Sequence, residues 1–397
     1  MKRLSLIVAM LCLCGWTNAL DIQAATFAVT NTNDNGAGSL RQAILNANSN
    51  NEDDTIVFDS SVFNTAQTIV LTSGELNILP DNSSGNIKTL TINGLTPNLL
   101  TISGNNQSRI FNIDRSSSVT INNLKLTNGN GGGNIFNGSG GAILAQGGAK
   151  LLLLNSIISG NNIGGSGGGI YSGSANVTII NSAIINNSAF SGGGIYQQSD
   201  ILTIINSTIS SNIALVNGAG VHIHGTNLTT TNCTISFNRS TSPNSVGAGV
   251  YLNNQNPFFS YYSARNTIIS NNSTGSGILP NLNYSLQSLG NNIIDNINPV
   301  EVYGDTTGNQ LNVDPQLDQQ LSNNGGIIPT HALRATSPAI DKGNNCVLNT
   351  PANGGCLDPK ITTDSRGIAR PQDGDNDGVA TVDIGAFEAT SNEVLTA

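Results

Sequence analysis

The chain has 397 residues and a net charge of −9, and only 10% of its residues are charged. It contains 59 Asn and 45 Gly, and because both are poor helix formers, the composition argues against a helical bundle. The negative charge argues against nucleic acid as a partner, since phosphate backbones bind to basic surfaces. With 38% hydrophobic residues the chain is too apolar for general disorder, so we expect an ordered, mostly β protein.

Residues 1–25 have the pattern of a signal peptide. Lys2 and Arg3 precede an apolar run from Leu4 to Cys14, and small residues follow, as export signals require. Cleavage after Ala19 and cleavage after Ala24 or Ala25 both fit. We therefore expect a secreted or cell-surface protein with no transmembrane span in the mature chain.

Residues 26–60 contain a short amphipathic pattern. Leu40, Ala43, Ile44 and Ala47 follow helical spacing, and Ser39 with Gln42 matches a capping box. We predict a helix here that caps the structure that follows.

Residues 61–310 contain two recurring phrases, and each of them recurs about every 26 residues. The asparagine phrase ends in an Ile-x-x-Asn step, and short alternating runs such as Val177-Thr178-Ile179 lie between the phrases, which is typical of strands with one buried face. The glycine phrase begins at Gly140, Gly167, Gly192, Gly218 and Gly247, and the asparagine phrase begins at Asn155, Asn181, Asn206, Asn232 and Asn266.

A repeat of this length with short strands and no helix predicts one coil of a parallel β-solenoid. It is too short for a four-stranded propeller blade. Stacked coils place equivalent residues about 4.8 Å apart, so Asn at one corner of each coil can form a ladder of side-chain hydrogen bonds. Gly at another corner supplies a left-handed backbone conformation at no steric cost.

The residues that follow the glycine phrases predict a stripe on the outside of the solenoid: Leu144, Tyr171, Tyr196, His222 and Tyr251. We expect Tyr171, Tyr196, His222 and Tyr251 to offer ring faces to a ligand. The alternative interpretation is that like residues merely stack and shield an edge. His222 and His224 would supply only two of the four ligands of a zinc site. We therefore expect them to be exposed polar residues and not metal ligands.

Acidic residues are scarce along the repeats, which argues against catalysis. Polysaccharide hydrolysis uses a pair of carboxylates on one face, yet no Glu occurs between Leu76 and Val300, and Asp200 has no acidic neighbour at repeat spacing. We expect no enzymatic activity and no catalytic residues.

The C-terminal region, residues 311–389, contains two candidate sites. Asp373, Asp375 and Asp377 followed by Gly378 resemble the start of a calcium loop, with the Val379 carbonyl and Asp383 as further ligands. We expect a structural Ca²⁺ ion there, and the alternative is a solvated acidic turn. Cys346 and Cys356 are expected to form a disulfide in an oxidising compartment, whereas Cys233 stands where other repeats have Ser or Thr and is expected to be buried.

These motifs together resemble known families. The repeats are similar to those of polymorphic outer-membrane proteins, and the segment from Gly38 to Asn48 resembles the CSLREA segment of exported β-helix proteins. The phrases Asp314-Pro315-Gln316-Leu317, Pro329-Thr330-His331 and Gly385-Ala386-Phe387-Glu388 resemble the choice-of-anchor Q domain. The resemblance implies an all-β, right-handed, single-stranded parallel β-helix on an exported bacterial protein, with an irregular C-terminal cap over residues 311–389 and a tail over 390–397.

The function that we expect is adhesin-like binding at a cell or envelope surface, by a monomer whose partner is a polysaccharide or a surface protein. A polysaccharide-degrading enzyme and a structural spacer without a ligand are the two alternatives.

Overall fold

The computed structural model describes residues 24–50, 52–80, 88–133, 138–254, 260–275, 281–298 and 300–392. The predicted signal peptide therefore falls almost wholly outside the described residues, as does most of the tail from residue 390 to residue 397. In the described ranges no helix combines the length and apolar character that a membrane crossing requires.

Each repeat folds into one coil of a right-handed parallel β-helix, as predicted. In one coil the strands Ile170–Gly173, Asn176–Ile180 and Ala183–Ile185 lie in three different sheets. The next coil begins with Ile195–Gln198, which pairs in parallel with Ile170–Gly173. The chain thus advances by one strand spacing per coil, and the alternating strand residues point inward to form one continuous core.

Sheet 1 has eleven strands in the described part of the chain: Ala25–Val29, Asp54–Phe58, Thr89–Asn93, Ser118–Asn122, Lys150–Leu154, Asn176–Ile180, Ile201–Ile205, Asn227–Thr231, Tyr261–Arg265, Leu286–Leu289 and Val302–Asp305. Sheet 2 has ten: Gln67–Val70, Leu100–Ser103, Lys125–Thr127, Ile157–Ser159, Ala183–Ile185, Thr208–Ser210, Thr234–Ser236, Ile268–Ser270, Ile293–Ile294 and Gln310–Leu311. Sheet 3 has seven: Leu76–Ile78, Phe111–Ile113, Ile143–Gln146, Ile170–Gly173, Ile195–Gln198, Val221–His224 and Val250–Asn253. Sheet 4 has three short strands: Ser188–Ala189, Ile213–Ala214 and Arg239–Ser240.

Two asparagine ladders run along the solenoid, which confirms the predicted ladder and adds a second one. At the corner between sheets 1 and 2, Asn181 has a φ of 49° and accepts a hydrogen bond from the Asn206 side chain at 2.7 Å. At the end of sheet 2, the fully buried Asn187 donates from Nδ2 to Asn212 Oδ1 at 3.0 Å. Both ladders satisfy polar groups that a stacked coil would otherwise bury unpaired.

The first glycine of each glycine phrase adopts a left-handed conformation. Gly192 has a φ of 63°, and a Cβ atom there would lie 2.6 Å from the Ile195 carbonyl oxygen and 2.8 Å from Tyr196 Cβ. The glycine phrase is therefore required by the turn that leads into sheet 3.

The predicted helix covers the N-terminal end of the solenoid. It spans Leu40–Asn48, and the four residues chosen for its apolar face are all buried. It packs against the first strands of sheets 1 and 3. Ser39 Oγ accepts a hydrogen bond from the Gln42 amide at 3.1 Å, but the Gln42 side chain donates to Asn46 rather than back to Ser39, so only half of the capping box forms.

The C-terminal region, residues 311–389, is irregular, with short 3₁₀ helices at Asn345–Leu348 and Pro351–Asn353. We call it the clasp, because it lies along the side of the solenoid. Phe387 and Leu333 belong to one buried apolar cluster with Ile268 of sheet 2, which lies outside the core of the solenoid. The clasp also bonds to the asparagine corner, where the Asn344 amide donates to Asn266 Oδ1 at 2.8 Å. It thereby covers apolar residues that sheet 2 turns outward.

Candidate functional site

The stripe lies on the outer face of sheet 3, with one residue in each coil. Strand register pairs Leu144 with Tyr171, Tyr171 with Tyr196, Tyr196 with His222, and His222 with Tyr251. The stacking predicted from the repeat is therefore confirmed. The three tyrosines are half-buried, whereas Leu144 is fully buried and His222 is only 6% exposed.

The orientation of the rings corrects one expectation. The Tyr171 and Tyr196 rings are parallel, with centroids 5.2 Å apart, and the Tyr196 and His222 centroids are 4.4 Å apart. His222 in turn lies 4.7 Å from Tyr251. The Tyr251 ring is tilted by 59° from the His222 ring. Because the facing sides of the Tyr171, Tyr196 and His222 rings cover one another, that part of the stripe does not offer these faces to a ligand. What it can present is ring edges and hydroxyl groups.

His222 is buried because the glycine turn packs against it. A Cβ atom on Gly218 would lie 2.9 Å from His222 Cβ. Burial, followed by the nearby His224, lowers the pKa of His222 to about 3, so the ring is neutral at neutral pH. The prediction that both histidines are exposed is therefore wrong for His222. Among the described residues they belong to no group of three metal-ligating side chains.

A second row of outward residues runs beside the stripe, two positions further along each strand. We call it the amide row, and it comprises Gln146, Gly173, Gln198, His224 and Asn253. Tyr171 Oη donates to Gln198 Oε1 at 3.0 Å, so the two rows are linked. This row was not predicted from the sequence, although its positions recur at a fixed distance from each glycine phrase. Together the rows form a surface of hydroxyl, amide and imidazole groups.

Burial shapes the chemistry of the tyrosines. It raises the pKa of Tyr171 and of Tyr196, because the phenolate would lose solvation. Their hydroxyls therefore stay protonated at neutral pH and can donate hydrogen bonds. No hydrogen bond of the Tyr196 or Tyr251 hydroxyl is found within the described part of the chain, which leaves these groups for a ligand or solvent.

Two hollows adjoin this face. One of about 210 Å³ is lined by Leu144, Gln146, Tyr171, Gly173, Ser174 and Gln198. Another of about 440 Å³ lies at the N-terminal end, where Glu75 and Asp114 both line it. Glu75 is held by the buried Arg109, whose Nη1 lies 2.5 Å from Glu75 Oε2. Glu75 lies just before the Glu-free stretch from Leu76 to Val300, and Asp114 lies within that stretch.

The acidic loop gathers a different set of carboxylates from the one predicted. Carboxylate oxygens of Asp341, Asp373 and Asp375 lie within 4.8 Å of one another. Asp383 is directed elsewhere, since its oxygens accept the Asp341 and Ala389 amides at 2.7 and 2.5 Å. Asp341 therefore takes the place expected of Asp383, and no sequence pattern linked it to the loop because it lies 32 residues before Asp373.

The other two predicted ligands are exposed and lie at the tip of the loop. Asp377 Oδ1 accepts a hydrogen bond from the Val379 amide at 2.8 Å, and the Val379 side chain is 62% exposed. The Asp341 carboxylate accepts the Gly374 and Asp375 amides, both at 2.9 Å. Calcium binding stays a prediction.

The disulfide predicted from the sequence is present. Cys346 and Cys356 are joined in the clasp, with Cα atoms 5.3 Å apart. Cys233 is fully buried, and burial raises the pKa of its thiol to about 12, which makes it unreactive.

Comparison with a family model agrees with the parallel β-helix fold. Residues 109–262, which contain the whole stripe, match the family model described as "Right handed beta helix region". The crystal structure of pectate lyase Pel9A is similar to the chain with a TM-score of 0.45 and 11% identity, over 93% of this chain and 98% of that chain. No curated protein sequence matches. The more specific resemblances, to the choice-of-anchor Q, CSLREA and polymorphic outer-membrane families, stay predictions, and the chain is a right-handed parallel β-helix protein.

Proposed function

We propose that this protein is a secreted or cell-surface β-helix that binds a polysaccharide or a surface protein without cleaving it. The observation that carries the proposal is the pair of adjacent rows on sheet 3. The stripe and the amide row present hydroxyls, amides and an imidazole at one set per coil, spaced by about 4.8 Å. Such groups donate and accept hydrogen bonds at regular intervals, which suits an extended ligand that lies along the solenoid.

The distribution of acids favours binding over catalysis. Hydrolysis of a glycosidic bond requires a carboxylic acid and a second carboxylate on one face, and neither row contains Asp or Glu. Asp295, in a later coil, is engaged in the fold, because its oxygens accept hydrogen bonds from the Asn271 amide at 2.6 Å and from the Asn281 side chain at 2.5 Å.

Replacing Tyr171, Tyr196 and Tyr251 together by Phe tests the proposal. The variant keeps the stacked rings and removes only the hydroxyls, so the fold should persist. We expect binding to arrayed glycans or host-surface proteins to weaken at least about tenfold, since several hydrogen bonds are lost. The matched control is Phe at Tyr261 and Tyr284, which are exposed on other parts of the surface. Unchanged binding by the triple variant would refute the assignment to sheet 3.

The enzyme alternative has one observation in its favour, namely the hollow lined by Glu75 and Asp114. Its test is the release of shortened or unsaturated glycan fragments by the wild-type chain, by Glu75→Gln and by Asp114→Asn. We expect no fragments from any of the three proteins. Fragments from the wild-type chain that disappear in Asp114→Asn would establish catalysis in place of simple binding.

A further inference from the structure

The amide row has one gap, at Gly173. Register places Gly173 between Gln146 of the preceding coil and Gln198 of the following coil. The missing side chain leaves the hollow of about 210 Å³ described above, which we call the Gly173 pit. Gly173 is not among the residues with a left-handed backbone, so its conformation does not require glycine.

Ring and amide groups line the pit. A Cβ atom on Gly173 would lie 3.2 Å from Tyr171 Cε1, so the tyrosine ring leans over the gap. The Tyr171 hydroxyl is held by Gln198 Oε1 at 3.0 Å, which fixes the ring in that position. The pit therefore has one apolar wall and one polar wall, as sugar rings require for their C–H and O–H groups.

Two amide groups remain available to a ligand. Gln146 is only 8% exposed, and its Nε2 makes a single long contact, 3.5 Å from Asp114 Oδ1. Gln198 uses Oε1 to hold Tyr171, and its Nε2 makes no hydrogen bond within the described part of the chain. A buried amide with weak partners gains more from a ligand hydroxyl than an exposed one does.

The size and charge of the pit select the ligand. Its volume is below the roughly 300–1,000 Å³ typical of drug-sized sites, which suits one ring rather than several. No Lys or Arg lines it, and Gln146 Nε2 lies 3.5 Å from the Asp114 carboxylate. A uronate sugar would find no cation among the lining residues to offset the repulsion from this carboxylate. A neutral sugar meets no such penalty.

We infer that the Gly173 pit binds one neutral sugar unit of a glycan that runs along sheet 3. The inference rests on the proposed binding function and names its ligand class and its anchoring point. Tyr171 contacts the apolar side of the sugar ring, and the Gln146 and Gln198 amides bond its hydroxyls.

The test uses the mature chain and two immobilised probe sets: neutral oligosaccharides of glucose, mannose and xylose, and polygalacturonate. Gly173→Gln fills the pit with the side chain that both neighbouring coils carry, and Gln146→Ala removes one amide. We expect the wild-type chain to be retained by a neutral probe and not by polygalacturonate. Both variants should lose at least about tenfold in affinity, with unchanged circular dichroism and melting temperature. Tyr261→Phe on sheet 1 is the control.

The outcomes distinguish failure of the Gly173 pit from failure of the proposed binding function of sheet 3. Neutral-glycan binding that survives Gly173→Gln would overturn the pit and leave sheet 3 binding intact. Retention by polygalacturonate alone would overturn the neutral class. Loss of affinity in a folded Gly173→Gln variant together with a folded Gln146→Ala variant supports both. If neither a glycan nor a surface protein retains the wild-type chain, the proposed function fails with the inference.

Discussion

At the scale of single residues, the solenoid depends on buried amide side chains that cannot form hydrogen bonds with solvent. Asn187 accepts hydrogen bonds from both the backbone and the side chain of Asn161, and it donates to the Ile158 carbonyl and to Asn212. The Asn187 side chain thus bonds groups in both neighbouring coils. Because Asn187 is fully buried, its partners cannot form hydrogen bonds with water instead.

We therefore predict that Asn187→Ala destabilises the chain by about 2–5 kcal/mol, since it leaves several buried polar groups unpaired. The midpoint of denaturant unfolding measures this loss. Asn298→Ala, at an exposed position, is the control and should change the midpoint little. A small effect at Asn187 would mean that the ladder does not hold the coils together.

His222 gives the chain a specific sensitivity to acid. Its folded-state pKa is lowered from 6.5 to about 3, so between these values the unfolded chain binds a proton that the folded chain excludes. Its stabilising contribution is present above pH 6.5 and is lost as the pH falls. The expected loss between pH 7 and pH 5 is about 2 kcal/mol. His222→Tyr, which continues the tyrosine stack, should remove this part of the pH dependence of unfolding. An identical pH profile in the variant would contradict the burial of the ring.

At the scale of elements, the clasp is bound by contacts that the repeats cannot provide. Phe387 is 3% exposed and belongs to one buried apolar cluster with Ile268 and Ile293 of sheet 2, and the guanidinium carbon of Arg366 lies 3.7 Å from its ring centroid. The clasp is therefore joined to sheet 2 by an apolar cluster separate from the core inside the solenoid.

Phe387→Ala should loosen the clasp by about 3–5 kcal/mol while the solenoid remains folded. Limited proteolysis measures this as faster cleavage within residues 311–389, with residues 61–310 still protected. Val379→Ala, in the same segment but exposed, serves as the control. Equal cleavage rates in the two variants would show that the clasp does not depend on this contact.

Calcium binding is the prediction for the acidic loop. Burial raises the pKa of Asp341, and the neighbouring Asp375 carboxylate contributes further repulsion, which a divalent cation would offset. We expect millimolar calcium to raise the melting temperature of the wild-type chain and to have less effect on Asp373→Asn. Asp200→Asn, far from the loop in sequence, is the control. Isothermal titration without calcium heat would contradict the prediction.

At the scale of the whole molecule, the periodic part of the fold and the N-terminal helix could be predicted, but the contacts of the clasp could not. The equivalents of Gly192 and of Asn181 recur in five successive coils, so their corner positions follow from the repeat alone. The partner of Asp373 does not recur, because Asp341 reaches it only through the folding of the clasp. Ring orientation was also beyond the sequence, since spacing places Tyr171 above Tyr196 but does not say that their faces meet. The amide row was periodic and could have been found by reading two positions past the stripe.

The central claim is that an intact glycan or surface protein lies along sheet 3. Hydrogen exchange of the mature chain, with and without the ligand best retained in the binding screen, tests it most directly. We expect slower exchange in Ile170–Gly173 and Ile195–Gln198 on binding, with the ligand recovered unshortened. Protection confined to the outer face of sheet 1, or a ligand recovered as fragments, would contradict it.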